Sequence, residues 1–511
     1  MACPPNEPAD RQVRPRPFAG MGGHVEAGRE AGVIAGGRAT NIKLKAEADA
    51  ETSGGRCVSR REVREERERG NLKPPSALEA PLYRPFALLA LGVTLGVATP
   101  IGAIALFNLY ASAGAVPGVW PRLHAYLQLF GFVGILIIGV GHHLVLRFAH
   151  RPIRRPARTP WILGLAALAL AARVAAAATT GPPAAALWVG SGIAGPLAYG
   201  LFALWVTGHV RAIQPRFTSD WLLVSGAWWF TLGLATEAVA LVRAATAGGD
   251  PALATPGPGL YAMGLYGGVF GWVLGVALRV APMFLVGRKV GRWGGPALLA
   301  LNGGVLLALL AEVWPPDSRP AHVLVALSDL GVAGALVVGA LAVGAWQPEP
   351  RRAIALHMDR TEARFFRLAF ACAGLAALGL VVGAVLTFAC VAKGMLTDAT
   401  RHLLTVGFVI GAICAMGFRF LPVIEGVRLA LPRARQVAFW ALLAAVLLRT
   451  AELGADYLHE GFLRPAALSG FLAWLALAAW GLAVALTMVR GAAARRHPIP
   501  HPFSPTGERE E

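Results

Sequence analysis

Residues 122–148 read RLHAYLQLFGFVGILIIGVGHHLVLRF. No Asp, Glu, Lys or Arg stands between Arg122 and Arg147. Crossing the hydrocarbon core of a bilayer takes roughly 20 apolar residues in an α-helix. A run this long and this apolar is therefore a membrane-spanning helix rather than a strand. Eleven further runs share the pattern. With this one they cover 86–111, 122–148, 160–180, 184–207, 221–246, 259–284, 296–313, 321–346, 365–392, 398–421, 435–454 and 465–489. Runs three and four are separated by a tight turn at Thr180-Gly181-Pro182-Pro183. The expected fold is an all-α polytopic bundle of twelve transmembrane helices over 81–490, in contact with lipid.

The composition agrees. The 511 residues are 56% hydrophobic and only 15% charged, with a mean hydropathy of +0.56. Soluble domains carry about 25% charged residues. This excludes an ordinary cytosolic enzyme, a disordered chain and a collagen-like fibre. The net charge of +18 invites a nucleic-acid reading. The basic residues are spread over short loops between apolar runs, so nucleic-acid binding is not expected.

Those loops orient the chain. Lys and Arg collect on the cytoplasmic side of membrane proteins. Arg147, Arg151, Arg154, Arg155 and Arg158 follow run two, and Arg211 and Arg216 follow run four. Arg288, Lys289 and Arg292 follow run six, and Arg351, Arg352, Arg360 and Arg364 follow run eight. Arg428, Arg433 and Arg435 follow run ten, and Arg490, Arg495 and Arg496 follow run twelve. The alternate loops are poor in both residues. The alternation predicts twelve spans with both termini cytoplasmic, in a bacterial-type inner membrane.

Residues 1–80 form a separate region with 14 Lys+Arg and 12 Asp+Glu and no apolar run. They read as a disordered cytoplasmic tail with a short charged helix at Arg60–Arg69. A start codon placed too far upstream would leave the same composition. Residues 491–511 read as a second cytoplasmic tail.

An internal repeat organises the spans. Run two has Gly131-Phe132-Val133 and run ten has Gly407-Phe408-Val409, each followed by a glycine ten residues after the first. Run six has Gly267, then Arg279 and Pro282, at the offsets of Gly407, Arg419 and Pro422 in run ten. Arg173 and Arg449 each lie 42 residues after their repeat glycine, and Glu312 and Glu452 each lie 45 after theirs. The register predicts three four-helix units arranged as arcs.

Ionisable residues inside a membrane are costly and mark function. His124 and His402 open runs two and ten, seven and five residues before Gly131 and Gly407. At 1.5 Å rise per residue they lie within about a turn in depth. Two imidazoles facing each other across a bundle supply both axial ligands of a haem iron. The alternative is that each histidine bonds a neighbouring helix. Run six offers Tyr261 and Met263 in place of a histidine. Arg173 and Arg449 are candidates for pairing with haem propionates. The competing reading pairs Arg173 with Glu237 and Arg449 with Glu452. His142 and His143 are expected to snorkel beside Arg147, and Arg419 to anchor the end of run ten. His322 and His459 are expected in solvent. Cys372, Cys390 and Cys414 have no zinc or copper spacing and read as small core residues.

The segments from His124 to Phe132 and from His402 to Gly417, followed by Phe418-Arg419-Phe420-Leu421-Pro422, resemble the NnrS family over roughly 83–490. The resemblance implies a twelve-span haem- and copper-containing membrane protein linked to nitric oxide metabolism and nitrosative-stress protection. The same segments are more distantly similar to haem–copper oxidase subunit I. In that family twelve helices form three arcs, and histidines on helices two and ten hold a low-spin haem; His124 and His402 match. Runs six and seven have no histidine, which argues against an oxygen- or nitric-oxide-reducing binuclear centre. Tyr126, and Pro422-Val423-Ile424-Glu425-Gly426, depart from the NnrS pattern and argue against a copper site. The expected function is haem binding in a nitric oxide response, with nitric oxide as ligand. Two rivals are an electron-transfer enzyme with quinol or another redox partner, and a transporter.

Overall fold

A computed structural model describes residues 82–111, 114–149, 158–213, 217–253, 258–284, 293–345, 360–391, 393–457 and 460–496. The expected helix at Arg60–Arg69, His459, and the loop residues Arg151, Arg154, Arg155, Arg216, Arg288, Lys289, Arg292, Arg351 and Arg352 lie outside them, as does the chain beyond 496. Among the described residues there are twelve helices long and apolar enough to cross a membrane, and no strand. The chain is an all-α, multi-pass membrane bundle. In lipid, backbone N–H and C=O groups find no water, so each segment must satisfy them internally as a helix.

The spans are α1 (Tyr83–Tyr110), α2 (Val119–Phe148), α3 (Arg158–Ala177), α4 (Gly181–Val210), α5 (Thr218–Thr246) and α6 (Gly259–Val280). They continue as α7 (Gly294–Ala311), α8 (Arg319–Val343), α9 (Thr361–Phe388), α10 (Leu396–Glu425), α11 (Ala434–Ala455) and α12 (Leu463–Arg496). Their order in space repeats every four. Helices α3 and α4, α7 and α8, and α11 and α12 pack as pairs. Helix α4 meets α5, α8 meets α9, and α12 returns to α1, which closes the set.

The inner member of each unit is its second helix. Helices α2, α6 and α10 bury 61%, 89% and 61% of their apolar windows, the three largest shares of the twelve. Each carries a π-helical stretch: Leu127–Gly134, Ala262–Phe270 and Leu403–Ile410. Each stretch ends three residues after its repeat glycine, Gly131, Gly267 or Gly407. The wider π turn leaves backbone groups shifted relative to an α ladder, and such stretches gather at functional sites. A Cβ on Gly131 would come within 2.9 Å of Val93 and 3.0 Å of Leu170. On Gly407 it would meet Cys372 at 2.6 Å, and on Gly267 it would meet Trp229 at 2.4 Å. The glycines let each inner helix approach the first helix of its own unit.

Twelve residues after each repeat glycine stands a basic side chain: His143, Arg279 and Arg419. All three lean on the start of their unit's first helix. The His143 ring meets Tyr83 edge-on, with centroids 5.8 Å apart. The Arg279 guanidinium lies 4.4 Å from the Phe217 ring centroid. Arg419, the expected anchor at the end of run ten, lies 4.0 Å from Glu362. At the same end Glu425 of α10 takes hydrogen bonds from Tyr83, Arg84 and Arg495. This joins the start of α1 to the ends of α10 and α12.

His142 corrects the expectation of snorkelling. It is fully buried, stacked on Phe86 with centroids 5.5 Å apart and tilted against Trp205 at 4.4 Å. Its α-helical neighbour His143 does meet Arg147, whose Nε donates to its Nε2 at 3.1 Å. Successive helix residues face about 100° apart, so one histidine looks inward while the other stays with the arginine. Cys372 and Cys414 are core residues, as expected, whereas Cys390 is exposed at the end of α9 with a φ of 54°.

Candidate functional site

A cavity of about 770 Å³ opens at the end of the bundle where α1 stops and α2 begins. It is walled by α1, α2, α6, α10, α11 and α12, and both His124 and His402 line it. Small-molecule sites span about 300–1,000 Å³. The wall is mostly apolar, with polar groups from Tyr110, Gln128, Asp398, Arg401 and Arg449.

The two histidines are held in the same way. His124 Nδ1 lies 2.8 Å from the carbonyl oxygen of Ala98, in a π-helical stretch of α1 (Thr94–Ala98). His402 Nδ1 lies 2.9 Å from the carbonyl oxygen of Asp398, one turn earlier on α10. A carbonyl oxygen only accepts, so each Nδ1 donates and carries the proton. Each neutral ring is therefore the tautomer whose Nε2 keeps its lone pair. A backbone carbonyl on Nδ1 is the usual outer partner of a metal-ligating histidine; it fixes the ring and raises its basicity.

Helix α1 makes room for this arrangement. A Cβ on Gly102 would lie 2.3 Å from the His124 ring. Only hydrogen at that position leaves the imidazole its place. Gln128 ties the two helices together: its Nε2 donates to Thr99 Oγ1 at 2.7 Å, and Thr94 Oγ1 donates to its Oε1 at 3.2 Å. On the α12 side Ser469, Gly470 and Ala473 keep the wall low.

The polar corner of the cavity is Arg449. Its Nη2 donates to Asp398, and its Nη1 lies 3.0 Å from Glu452 Oε2. Tyr110 donates to the same Glu452 oxygen at 2.9 Å. Three atoms here are buried with no hydrogen-bond partner among the described residues: Arg449 Nε, Glu452 Oε1, and Arg449 Nη1, which has only its ion pair to Glu452. Asp398, His402 and Glu452 bring one donor atom each within 4.8 Å of one another. That spacing would admit a small cation, but the Arg449 guanidinium already bonds Asp398 and lies beside Glu452, so an ion would have to displace it. Arg401 stands exposed at the cavity wall, its guanidinium 5.3 Å from the Tyr261 ring centroid.

Arg173 lies elsewhere. It donates from Nη1 and Nη2 to the two oxygens of Glu237 at 2.8 and 3.0 Å, and from Nε to Ser191 at 3.0 Å. Its guanidinium is 3.9 Å from the Tyr126 ring and 4.8 Å from the Trp188 ring. The arginine is 3% exposed, joins α3 to α5, and does not line the cavity. The structure thus brings together His124, His402 and Arg449, and sets Arg173 in the Glu237 pair. Sequence reasoning missed Gly102, Tyr110 and Gln128. The signal for Gly102 was a glycine facing the same membrane depth as His124; the other two show only once the helices are packed.

A group with two open axial positions and carboxylate arms fits these residues. Two Nε2 lone pairs, the space that Gly102 keeps clear and the unpartnered Arg449 Nε are the features that fit it. Comparison with known protein families gives no match to this chain, and comparison with curated proteins gives none.

Proposed function

We propose that the cavity binds haem between His124 and His402, and that the chain is an NnrS-type protein of a bacterial inner membrane, serving the response to nitric oxide. The observation that carries this reading is the matched pair of histidines. They come from the inner helices of two repeat units, face one cavity, and are each tied at Nδ1 so that Nε2 is the free nitrogen. Support for the orientation comes from the basic loops: with these on the cytoplasmic side, both termini would be cytoplasmic and the cavity would face the outer leaflet.

In this reading His124 and His402 would hold the group through their Nε2 atoms. The Ala98 carbonyl holds the His124 ring and Gly102 leaves it room. Arg449 offers its unpartnered Nε to a propionate, at the cost of loosening its hold on Asp398. Arg401 meets the second carboxylate at the cavity mouth. The group so held would supply one-electron exchange and an iron able to take up nitric oxide. The proposal does not extend to copper.

The test is haem content. The protein purified in detergent after expression with ample haem should carry one haem per chain, with low-spin bands that nitric oxide alters. A colourless protein under these conditions would overturn the reading and bring the transporter alternative forward.

A further inference from the structure

A second cavity, of about 130 Å³ and open on one side, lies between the inner helices α2, α6 and α10, with α1 and α12 also on its wall. Its wall includes Val133, Ile137, Val140, Val276 and Ile413. The two titratable side chains on it are already engaged. The Tyr83 hydroxyl donates to Glu425, and His143 Nε2 accepts from Arg147. Trp272 and Trp480, also on the wall, are 2% exposed, and their Nε1 atoms have no hydrogen-bond partner among the described residues.

Water is a poor occupant, since it needs two to four polar partners, acceptors as well as donors. A charged ligand would meet no counter-charge. An apolar cavity of about 150 Å³ stays dry and takes up benzene or xenon. The occupant that fits is small, uncharged and at most a weak hydrogen-bond acceptor.

The position gives the cavity a use. Val133 lines both this cavity and the one that holds His124 and His402. On α10, Ile410 lines the histidine cavity and Ile413 the inner one. We propose that this inner cavity is a binding site for a small uncharged diatomic gas, of the nitric oxide or dioxygen class, one side chain away from the histidine cavity. That a gas held there passes on to the histidines rests on the haem reading; that the cavity takes up a gas does not.

The probe is xenon, which has the apolar character of such a gas and needs no haem. The full-length protein in lipid nanodiscs is titrated with xenon and followed by xenon NMR. The expected result is saturable binding, lost in Val276→Phe, which fills the space. Because overfilling can disturb folding, Val140→Phe provides a second filling from α2, and both variants are checked for monodisperse elution. Absence of saturable binding in the unchanged protein, or equal binding in correctly folded filled variants, would overturn the proposal. So would an acyl chain seen in the cavity by electron microscopy. Xenon binding in a colourless protein would keep the gas site while removing the haem reading, so the two fail separately.

Discussion

Arg173 and Arg449 occupy the same register in two repeat units, 42 residues after Gly131 and Gly407, yet they have different surroundings. Arg173 is complete. Both Glu237 oxygens, Ser191 and two aromatic faces use its donors and its charge. Arg449 is incomplete, with an unpartnered Nε beside a cavity and an unpartnered oxygen on its neighbour Glu452. A repeat fixes where a charge enters the membrane, not what it does there. A buried arginine with every donor matched holds helices together. One with donors to spare beside an open space is poised for a ligand.

The largest expected effect follows from the complete site. Arg173→Ala leaves Glu237 as an uncompensated buried charge and should cost about 3–5 kcal/mol of stability. Thermal unfolding in detergent measures this, and the fraction that still folds should keep its haem. A variant that folds normally but loses haem would break the comparison. Arg449→Gln should act the other way round. It should weaken haem retention by about 1.5–3 kcal/mol, or roughly ten- to a hundredfold, read by transfer to a haem-scavenging protein. Its unfolding temperature should fall too, because the fully buried Glu452 loses its ionic partner, but by less than in Arg173→Ala: Glu452 keeps the Tyr110 hydrogen bond, and the Asp398 side chain is 40% exposed.

Gly102→Val sharpens the contrast at the other wall. Its side chain must displace the His124 ring, and overpacking of this kind costs about 1–3 kcal/mol. Haem bands should weaken while the α3–α5 interface is untouched, which absorbance and thermal unfolding report together. Tyr110→Phe should give the smallest effect. It removes one hydrogen bond to Glu452, worth about 1 kcal/mol. The unfolding temperature should drop slightly, with the haem bands in place.

The twelve spans were legible because the requirement of about 20 apolar residues leaves few alternatives in so hydrophobic a chain. Their ends were not. Helix α10 continues to Glu425 and α12 to Arg496, past the expected 421 and 489. There Glu425 and Arg495 bond each other across helices, and backbone hydrogen bonding outlasts the apolar stretch. The repeat glycines were legible, but the π-helical stretches they close were not, because a shifted hydrogen-bond ladder has no composition of its own. His124 and His402 stood out because ionisable groups are rare inside apolar runs. Asp398 was in view in the same run, yet its bond to Arg449 depends on how α10 meets α11. His142 was misplaced for a related reason. Hydropathy reads depth along a helix and not which face turns inward, so it cannot separate His142 from His143.

The central claim is that the Nε2 atoms of His124 and His402 hold one haem. The most direct measurement is the reduced-minus-oxidised visible spectrum of the purified protein beside His124→Ala and His402→Ala, each confirmed as folded by its elution profile. The account predicts sharp low-spin bands in the unchanged protein and their loss or conversion to a high-spin form in either variant. Low-spin bands that persist unchanged in both folded variants would contradict it.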